Sequence, residues 1–212
     1  MSETKDVIVR LLRNLGSRKE VEQYLKQYSS VDSQKFAIIK AAGSILAKDL
    51  DALASSLTFL QRVGLHPIVL HGAGPQIDDA VNEASVPNDR FEGHRVITPR
   101  FLEIARKVYL RENLRLVEAL EELGTRARPV TAGVLQASLV DLEHLGFVGR
   151  VDKVHVDAIQ SSIRAGQLPI VACLGETTGG QIVSVNPDVA IRELALAIEP
   201  FKVIYLNEAG GL

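Results

Sequence analysis

Short apolar segments alternate with amphipathic segments from Lys35 onward, and this alternation constrains the fold more than any other feature of the sequence. The apolar segments have the length and composition of buried strands, and the amphipathic segments repeat apolar residues at helical spacing. A strand, a helix and a second strand in this order form a parallel pair, because the helix carries the chain back across the sheet. We therefore predict an α/β fold, in which a largely parallel sheet is sandwiched by helices.

Turn and capping residues set the limits of the predicted elements. Thr98 is the predicted N-cap of the clearest helix, Pro99 occupies its first position, and Gly124 follows its end. Asn186 and Pro187 begin the last helix in the same way. The predicted helices are 48–63, 75–83, 99–123, 156–164 and 187–198, and the predicted strands are 36–40, 67–71, 128–136, 147–154, 168–174, 181–185 and 202–206.

The two ends of the chain fall outside this alternation. Residues 1–30 read as two short helices, the second with the capping-box pair Ser17 and Glu20, and we treat this segment as a candidate for oligomerisation or for packing on its own domain. Residues 31–212 form the predicted main domain. Residues 207–212 follow the last predicted strand as a loop, where a strand–helix fold normally continues, so a truncated domain is expected.

Composition and charge exclude several classes of partner. Lys and Arg number 24 against 26 Asp and Glu, which leaves no basic surplus for nucleic acid or an anionic membrane. The single cysteine, Cys173, cannot form an internal disulfide, and the histidines lack the spacing of metal ligands, so no protein-bound metal is predicted. No apolar run reaches the roughly 18 residues that a membrane span needs, and the polar start predicts a cytoplasmic location.

Two loops rich in small residues follow the first two predicted strands. Residues 40–44 read Lys-Ala-Ala-Gly-Ser and residues 71–75 read His-Gly-Ala-Gly-Pro. In parallel sheets, ligands bind where such loops lie side by side, and their backbone N–H groups can approach a phosphate. Lys40 adds a mobile positive charge. Alternatively, the small residues only permit tight turns, since neither loop is a P-loop or a dinucleotide fingerprint.

Four segments in a fixed order carry a resemblance to a known family. Residues 36–43, 68–77, 93–98 and 183–188 resemble the motifs of the amino acid kinase family, in its N-acetylglutamate kinase branch. Ala73 and the leading helix pair are most similar to the kinase domain of bacterial bifunctional N-acetylglutamate synthase/kinase proteins. The resemblance implies the amino acid kinase fold, with its N-terminal, substrate-binding lobe present here, and a homo-oligomer with arginine as a possible effector.

The resemblance also implies a reaction and a set of site residues. The reaction is phosphoryl transfer from ATP, with Mg²⁺, to the side-chain carboxylate of N-acetyl-L-glutamate. Lys40 contacts the phosphates being transferred, Asp188 orients Lys40, and Arg95 holds the substrate α-carboxylate. The implied catalytic residues are Lys40 and Asp188, the substrate-binding residues are Gly72, Ala73, Gly74, Arg95 and Asn186, and the nucleotide phosphate-binding residues are Lys40, Ala42 and Gly43.

Three departures from the family pattern keep other functions open. Ala42 replaces a glycine and is strained if its φ must be positive, Ser184 replaces a typical asparagine, and the family's nucleotide lobe corresponds to sequence beyond Leu212. We therefore expect little activity from this chain alone. One rival is a regulatory or assembly module that binds arginine or acetylglutamate within an N-acetylglutamate synthase. Another is an amino acid kinase that acts on aspartate, carbamate or a nucleotide.

Overall fold

The computed structural model describes residues 37–62 and 64–208, and the predicted helix pair within residues 1–30 lies outside this range. The chain forms helices and strands in alternation. The helices are α1 (Gly43–Lys48), α2 (Leu50–Arg62), α3 (Gly74–Glu83), α4 (Pro99–Glu122), α5 (Asp157–Arg164) and α6 (Pro187–Ile198). The strands are β1 (Ala37–Ala41), β2 (Ile68–His71), β3 (Arg90–Phe91), β4 (His94–Arg95), β5 (Ala127–Val130), β6 (Leu135–Leu139), β7 (Val148–Val154), β8 (Leu168–Ala172), β9 (Leu174–Glu176), β10 (Ile182–Val185) and β11 (Lys202–Leu206).

Five strands form one sheet in the order β11-β1-β2-β8-β5. Every neighbouring pair is parallel, which confirms the predicted sheet. The carboxyl ends of the five strands consequently lie along the same edge, which we call the carboxyl edge. The loops that leave β1 and β2 both lie there, as the prediction of a shared binding edge requires.

Alternate residues of the central strands enter two different cores. Ile38 and Leu70 pack in one core with α3, α6 and the first half of α4. Ile39 and Val69 pack in the other core with α1, α2 and the second half of α4. Because side chains alternate along a strand, a sheet covered on both faces needs apolar residues at consecutive positions. This requirement explains the continuous apolar runs in the sequence.

Strands β6, β7, β9 and β10 close into a small barrel in the order β10-β7-β6-β9. Its interior is narrow at two glycines. A Cβ on Gly149 would lie 3.1 Å from Val183 Cβ and 3.3 Å from Ala137 Cβ, and a Cβ on Gly175 would lie 2.9 Å from Ala137 Cβ. The strands can approach this closely because glycine has no side chain at these positions.

Two predicted strands are wrong as single elements. Segment 128–136 divides into β5, which belongs to the parallel sheet, and β6, which belongs to the barrel. The break contains Gly133 at φ 78°, a conformation that ends an extended run. Segment 168–174 likewise divides at Cys173 into β8 of the sheet and β9 of the barrel.

Helix α1 and the two strands of the hairpin β3–β4 were not predicted, and the five helices predicted between residues 48 and 198 are confirmed. Helix α1 follows β1 directly, and the hairpin β3–β4 lies within the predicted loop 87–98. Thr98 caps α4, since its Oγ1 accepts from Phe101 N–H at 3.2 Å. None of the described helices is long and apolar enough to cross a membrane.

Candidate functional site

The loops after β1 and β2 touch at the carboxyl edge. Gly72 N–H donates to Ala41 O at 2.9 Å, which continues the strand pairing into the loop. A Cβ on Gly43 would lie 2.9 Å from Ala73 Cα and 3.0 Å from Gly74 N. The close approach of two backbones therefore requires glycine at position 43. Gly43, which is predicted to bind phosphate, thus lies directly beside Ala73 and Gly74, which are predicted to bind the acceptor.

Gln76 links these two loops, and sequence reasoning missed it. It lies in the first turn of α3, and its side-chain Nε2 donates to Gly43 O at 2.7 Å. The residue is buried, and its Oε1 has no hydrogen-bond partner within the described part of the chain. The only sequence signal was its position two residues after Gly74, at the start of a helix.

Lys40 lies on β1 and forms an ion pair with Asp188 at the start of α6. The Lys40 side chain is 18% exposed and Asp188 is 69% exposed, so the pair opens to solvent on the carboxylate side. The Lys40 Nζ also lies 5.5 Å from the ring centroid of Tyr205, its neighbour in register on β11. The structure thus brings together the two residues predicted to be catalytic, which are 148 positions apart.

The beginning of α6 forms a third side of the site. Asn186 caps this helix, since its Oδ1 accepts from Asp188 N–H at 2.8 Å and from Val189 N–H at 3.4 Å. A Cβ on Gly72 would lie 3.7 Å from Pro187 Cγ, so this helix start faces the loop after β2. The Asn186 side-chain oxygen is occupied by capping, whereas its amide nitrogen remains a potential donor to a ligand.

Arg95 lies on the hairpin strand β4 and is held near the second loop. Its Nη2 donates to Asp78 Oδ1 at 2.6 Å, and Asp78 lies one helical turn after Gly74. Its guanidinium carbon lies 5.4 Å from the ring centroid of Phe101. The structure therefore connects Arg95 to the β2 loop through α3, and Asp78 is a partner that the sequence did not reveal.

Ala42 adopts an ordinary backbone conformation. Its φ of −63° and ψ of 151° are extended, and its N–H donates to Leu206 O at 3.0 Å. The strain considered for this alanine does not occur, because only a positive φ would favour glycine here. Ala42 is thus compatible with the predicted phosphate-side loop.

The groups buried beneath the two loops are uncharged at neutral pH. Burial lowers the pKa of His71 to about 4, and it raises the pKa of Cys173 to about 12. Burial also raises the pKa of Tyr109 well above its ordinary value. Cys173 is consequently a thiol rather than a nucleophilic thiolate. The chemistry available at this edge is anion binding and charge neutralisation.

No group of three or more histidine, cysteine or acidic side chains within residues 37–62 and 64–208 could hold a metal ion. Asp188 is the carboxylate beside Lys40. A divalent cation at this edge would therefore take most of its oxygen ligands from a bound phosphate or from water, as Mg²⁺ commonly does.

Comparisons with known proteins agree with this arrangement. A family model described as Amino acid kinase family matches residues 35–212. A mitochondrial protein of Schizosaccharomyces pombe is 50% identical over 212 residues, which are 100% of this chain and 24% of that protein. An acetylglutamate kinase of Xylella fastidiosa is 46% identical over 198 residues, which are 93% of this chain and 47% of that kinase. The chain thus spans between about a quarter and a half of these relatives.

A solved structure shows the same fold. N-acetylglutamate synthase from Neisseria gonorrhoeae, complexed with coenzyme A and N-acetyl-glutamate, matches with a TM-score of 0.75 and 21% sequence identity. The match covers 84% of this chain and 43% of that one. At this identity the likeness concerns the fold of the chain and not its activity.

Proposed function

The chain belongs to the amino acid kinase family, and on this premise we propose that it supplies the acceptor-binding and phosphoryl-stabilising residues of an acetylglutamate kinase. In the proposed reaction, a side-chain carboxylate oxygen of N-acetyl-L-glutamate attacks the γ-phosphorus of ATP. The bond from that phosphorus to the β,γ-bridging oxygen breaks, and ADP leaves with the electron pair. The acceptor is already an anion, so the reaction needs no general base.

The position of Lys40 carries the proposal. It lies near the end of a central strand that pairs with β2 and β11, and its ammonium group contacts Asp188 at the start of α6. A lysine at this point can neutralise charge that develops on the transferred phosphoryl group, and fixed charges in a preorganised site are the largest usual contribution to such catalysis. Asp188 pairs with the ammonium group of Lys40 and restrains its position.

The acceptor would lie between the β2 loop and the start of α6. Gly72, Ala73 and Gly74 provide backbone close to the reacting carboxylate, and Asn186 provides an amide donor. Arg95 can pair with the α-carboxylate, because a guanidinium has five donors and Asp78 engages one of its nitrogens. We propose that Arg95 keeps its contact with Asp78 when the substrate binds.

ATP is the co-substrate that the family implies, with Mg²⁺ bound to its phosphates. Mg²⁺ is often held by substrate phosphates and one or two carboxylates, and Asp188, which pairs with Lys40, is a carboxylate at this edge. When bound, the ion neutralises phosphate charge. Lys40 and the backbone of Ala42 and Gly43 orient the same phosphates.

The regulatory alternative loses one of its arguments in the structure. Ala42 is unstrained, so its replacement of glycine is no sign of a degenerate site. Ser184 remains a departure from the family pattern, and residues 1–30 lie outside the described range. Arginine control and oligomerisation through residues 1–30 therefore remain predictions.

The test is binding and turnover with defined acceptors. We expect calorimetry to show that the chain binds N-acetyl-L-glutamate more tightly than L-aspartate or carbamate, and that Arg95→Lys weakens this binding, because lysine lacks the planar fork. A polypeptide with the nucleotide-binding region is expected to release ADP only when acetylglutamate is present. Equal affinity for all three acceptors, or ADP release that ignores acetylglutamate, would contradict the proposed function.

A further inference from the structure

A buried polar cluster lies directly beneath the β2 loop. His71 on β2 and Asn113 on α4 are both 0% exposed, and their side chains are in contact although the two elements are far apart in sequence. Cys173 Sγ donates to His71 O at 3.2 Å, and the Tyr109 ring lies 5.9 Å from the imidazole. None of these groups has a part in the reaction proposed above. A buried histidine that chemistry does not use needs another explanation.

The contacts of Asn113 determine the tautomer of His71. The Asn113 Nδ2 lies 2.9 Å from Ile170 O and 3.1 Å from His71 Nε2. A carbonyl oxygen only accepts hydrogen bonds, so the amide must present its NH₂ group to Ile170, and its second hydrogen then reaches the imidazole. His71 Nε2 is therefore the acceptor, and the proton of the neutral ring lies on Nδ1.

The protonated nitrogen faces the loop. His71 Nδ1 lies 3.3 Å from Gly72 O and donates to it. The Gly72–Ala73 peptide is trans, so holding its carbonyl oxygen toward His71 directs the Ala73 N–H the opposite way. That N–H donates to no oxygen within residues 37–62 and 64–208, and Ala73 is one of the proposed acceptor-binding residues.

The surroundings keep the imidazole neutral. Burial lowers the pKa of His71 to about 4, which outweighs the opposing effects of Gly72 O and the Glu112 carboxylate. Glu112 is itself paired with Arg111 and Arg115 on α4. The Cys173 thiol and the Tyr109 phenol remain protonated, because burial raises the pKa of each. The ring thus keeps one proton at neutral pH.

We propose that His71, held in its Nδ1–H tautomer by Asn113, is a positioning residue that fixes the orientation of the Gly72–Ala73 peptide for acceptor binding. The proposal rests on the proposed function, since it assigns the acceptor to this loop. It adds a residue pair that no motif implied. A histidine that only filled space would serve equally well in either tautomer.

Nitrogen-15 spectra of the wild-type chain test the tautomer. The His71 ring signals are identified by correlation with the sequentially assigned backbone of the wild-type chain, so their assignment needs no variant. We expect a protonated Nδ1 and an unprotonated Nε2, unchanged from pH 6 to pH 8. A protonated Nε2, or titration of the ring near pH 6.5, would overturn the proposal even if every variant failed to fold.

Two substitutions separate positioning from packing. Asparagine at position 71 places an amide donor near the Nδ1 position, whereas glutamine places its amide near the Nε2 position and leaves Gly72 O without a donor. We expect His71→Gln to weaken N-acetyl-L-glutamate binding by about tenfold, the effect of one lost hydrogen bond, and His71→Asn to retain most of the affinity. Both variants remove the ring and its packing, so their unfolding free energies are expected to be similar.

The outcomes distinguish this proposal from the proposed function. If the wild type does not bind acetylglutamate, the proposed function fails, while the spectra still report the tautomer. If the wild type binds and His71→Gln binds equally well, the proposed function stands and the positioning role is wrong. Affinities that follow the stability of the two variants, rather than the position of the amide, also contradict it.

Discussion

The parallel sheet and the barrel use small residues for different purposes. In the sheet, Gly43 begins α1 and Gly72 lies in the loop after β2, and both let two backbones and a helix start approach one another at the carboxyl edge. In the barrel, Gly149 and Gly175 lie within the paired strands, where they make room for side chains of the narrow interior. Every residue that we assign to chemistry lies at the sheet edge or on elements that reach it.

The sheet edge positions the residues of the candidate site, whereas the barrel stabilises the fold. Parallel strands end at a common edge, so residues far apart in sequence converge there without changing the sheet. A closed barrel has no free edge, and its strands constrain one another through their interior. Changes at the sheet edge should therefore alter ligand binding and turnover, whereas changes inside the barrel should alter stability. The junction is α6, which follows barrel strand β10 and brings Asp188 to Lys40.

The largest effect is expected from Lys40→Met. Removal of a preorganised charge at the transferred phosphoryl group is expected to lower kcat by ~10²–10³-fold. Thermal unfolding should change little, because the lysine and its partner are partly solvated. Lys48→Met is the control, since Lys48 pairs with Glu208 on the surface and has no proposed role. Equal losses of turnover in the two variants would contradict a special position for Lys40.

A stability effect without a binding effect is expected from Gly149→Ala. The added methyl group would overlap Val183, whose branched side chain is fully buried and has few alternative rotamers. We expect urea unfolding to show a loss of about 3 kcal/mol, the upper range for overpacking. Gly179→Ala, in the turn before β10, is the control because its methyl group meets only Thr177 Oγ1 at 3.8 Å. Acetylglutamate affinity of the folded protein should be unchanged in both.

Gly43→Ala is expected to lower both the stability and the substrate affinity, so it does not follow the division between sheet edge and barrel. Its methyl group would approach Gln76 Oε1 to 2.7 Å and two backbone atoms to 3.0 Å or less, which we expect to cost about 2 kcal/mol of unfolding free energy. The two loops would also move apart and bind the substrates less well.

Gly72→Ala should weaken substrate binding without changing stability. Its methyl group would meet atoms no closer than 3.6 Å, so urea unfolding should stay near wild type. The methyl group would lie between the β2 loop and the start of α6, where the acceptor is proposed to bind, so affinity should fall. A loss of stability in Gly72→Ala as large as that in Gly43→Ala would contradict the open space around Gly72.

The smallest effects are expected at two helix caps. Thr98→Ala removes the cap of α4 and should lower the unfolding free energy by about 1 kcal/mol without changing acetylglutamate affinity.

Asn186→Ser keeps a capping oxygen on α6 but removes the amide donor. It should therefore leave unfolding nearly unchanged and lower the affinity measured by calorimetry. If Asn186→Ser binds acetylglutamate as tightly as the wild type, Asn186 acts only as a cap.

The sheet could be predicted because its signals are local. Apolar runs, Thr98, Asn186 and the loops after β1 and β2 each act within a few residues, and the structure confirms the elements that they delimit. The barrel could not be predicted, because β5 with Pro129 and β6 form one extended run in sequence yet join different sheets. Proline is tolerated in β5 because that strand is at the edge of its sheet.

The residues of the candidate site remain predictions, and the sequence did not reveal the contacts among them. The resemblance pointed to Lys40, Asp188 and Arg95. The contacts of Gln76 with Gly43 and of Asp78 with Arg95 depend instead on where the fold places α3. Their partners lie 33 and 17 positions away, beyond the reach of any local pattern. The His71–Asn113 pair was hidden for the same reason, since it joins β2 to the middle of α4.

Lys40 and Arg95 each pair with an aspartate at the candidate site. A highly charged nucleotide that approached the proposed site would consequently meet balanced ion pairs instead of an unbalanced positive field. Without such a field, long-range attraction cannot accelerate the diffusional encounter, and the association rate should depend only weakly on ionic strength. Selectivity would then arise after contact, as the ligand pairs with the donors of Lys40 and Arg95 that the aspartates leave unoccupied.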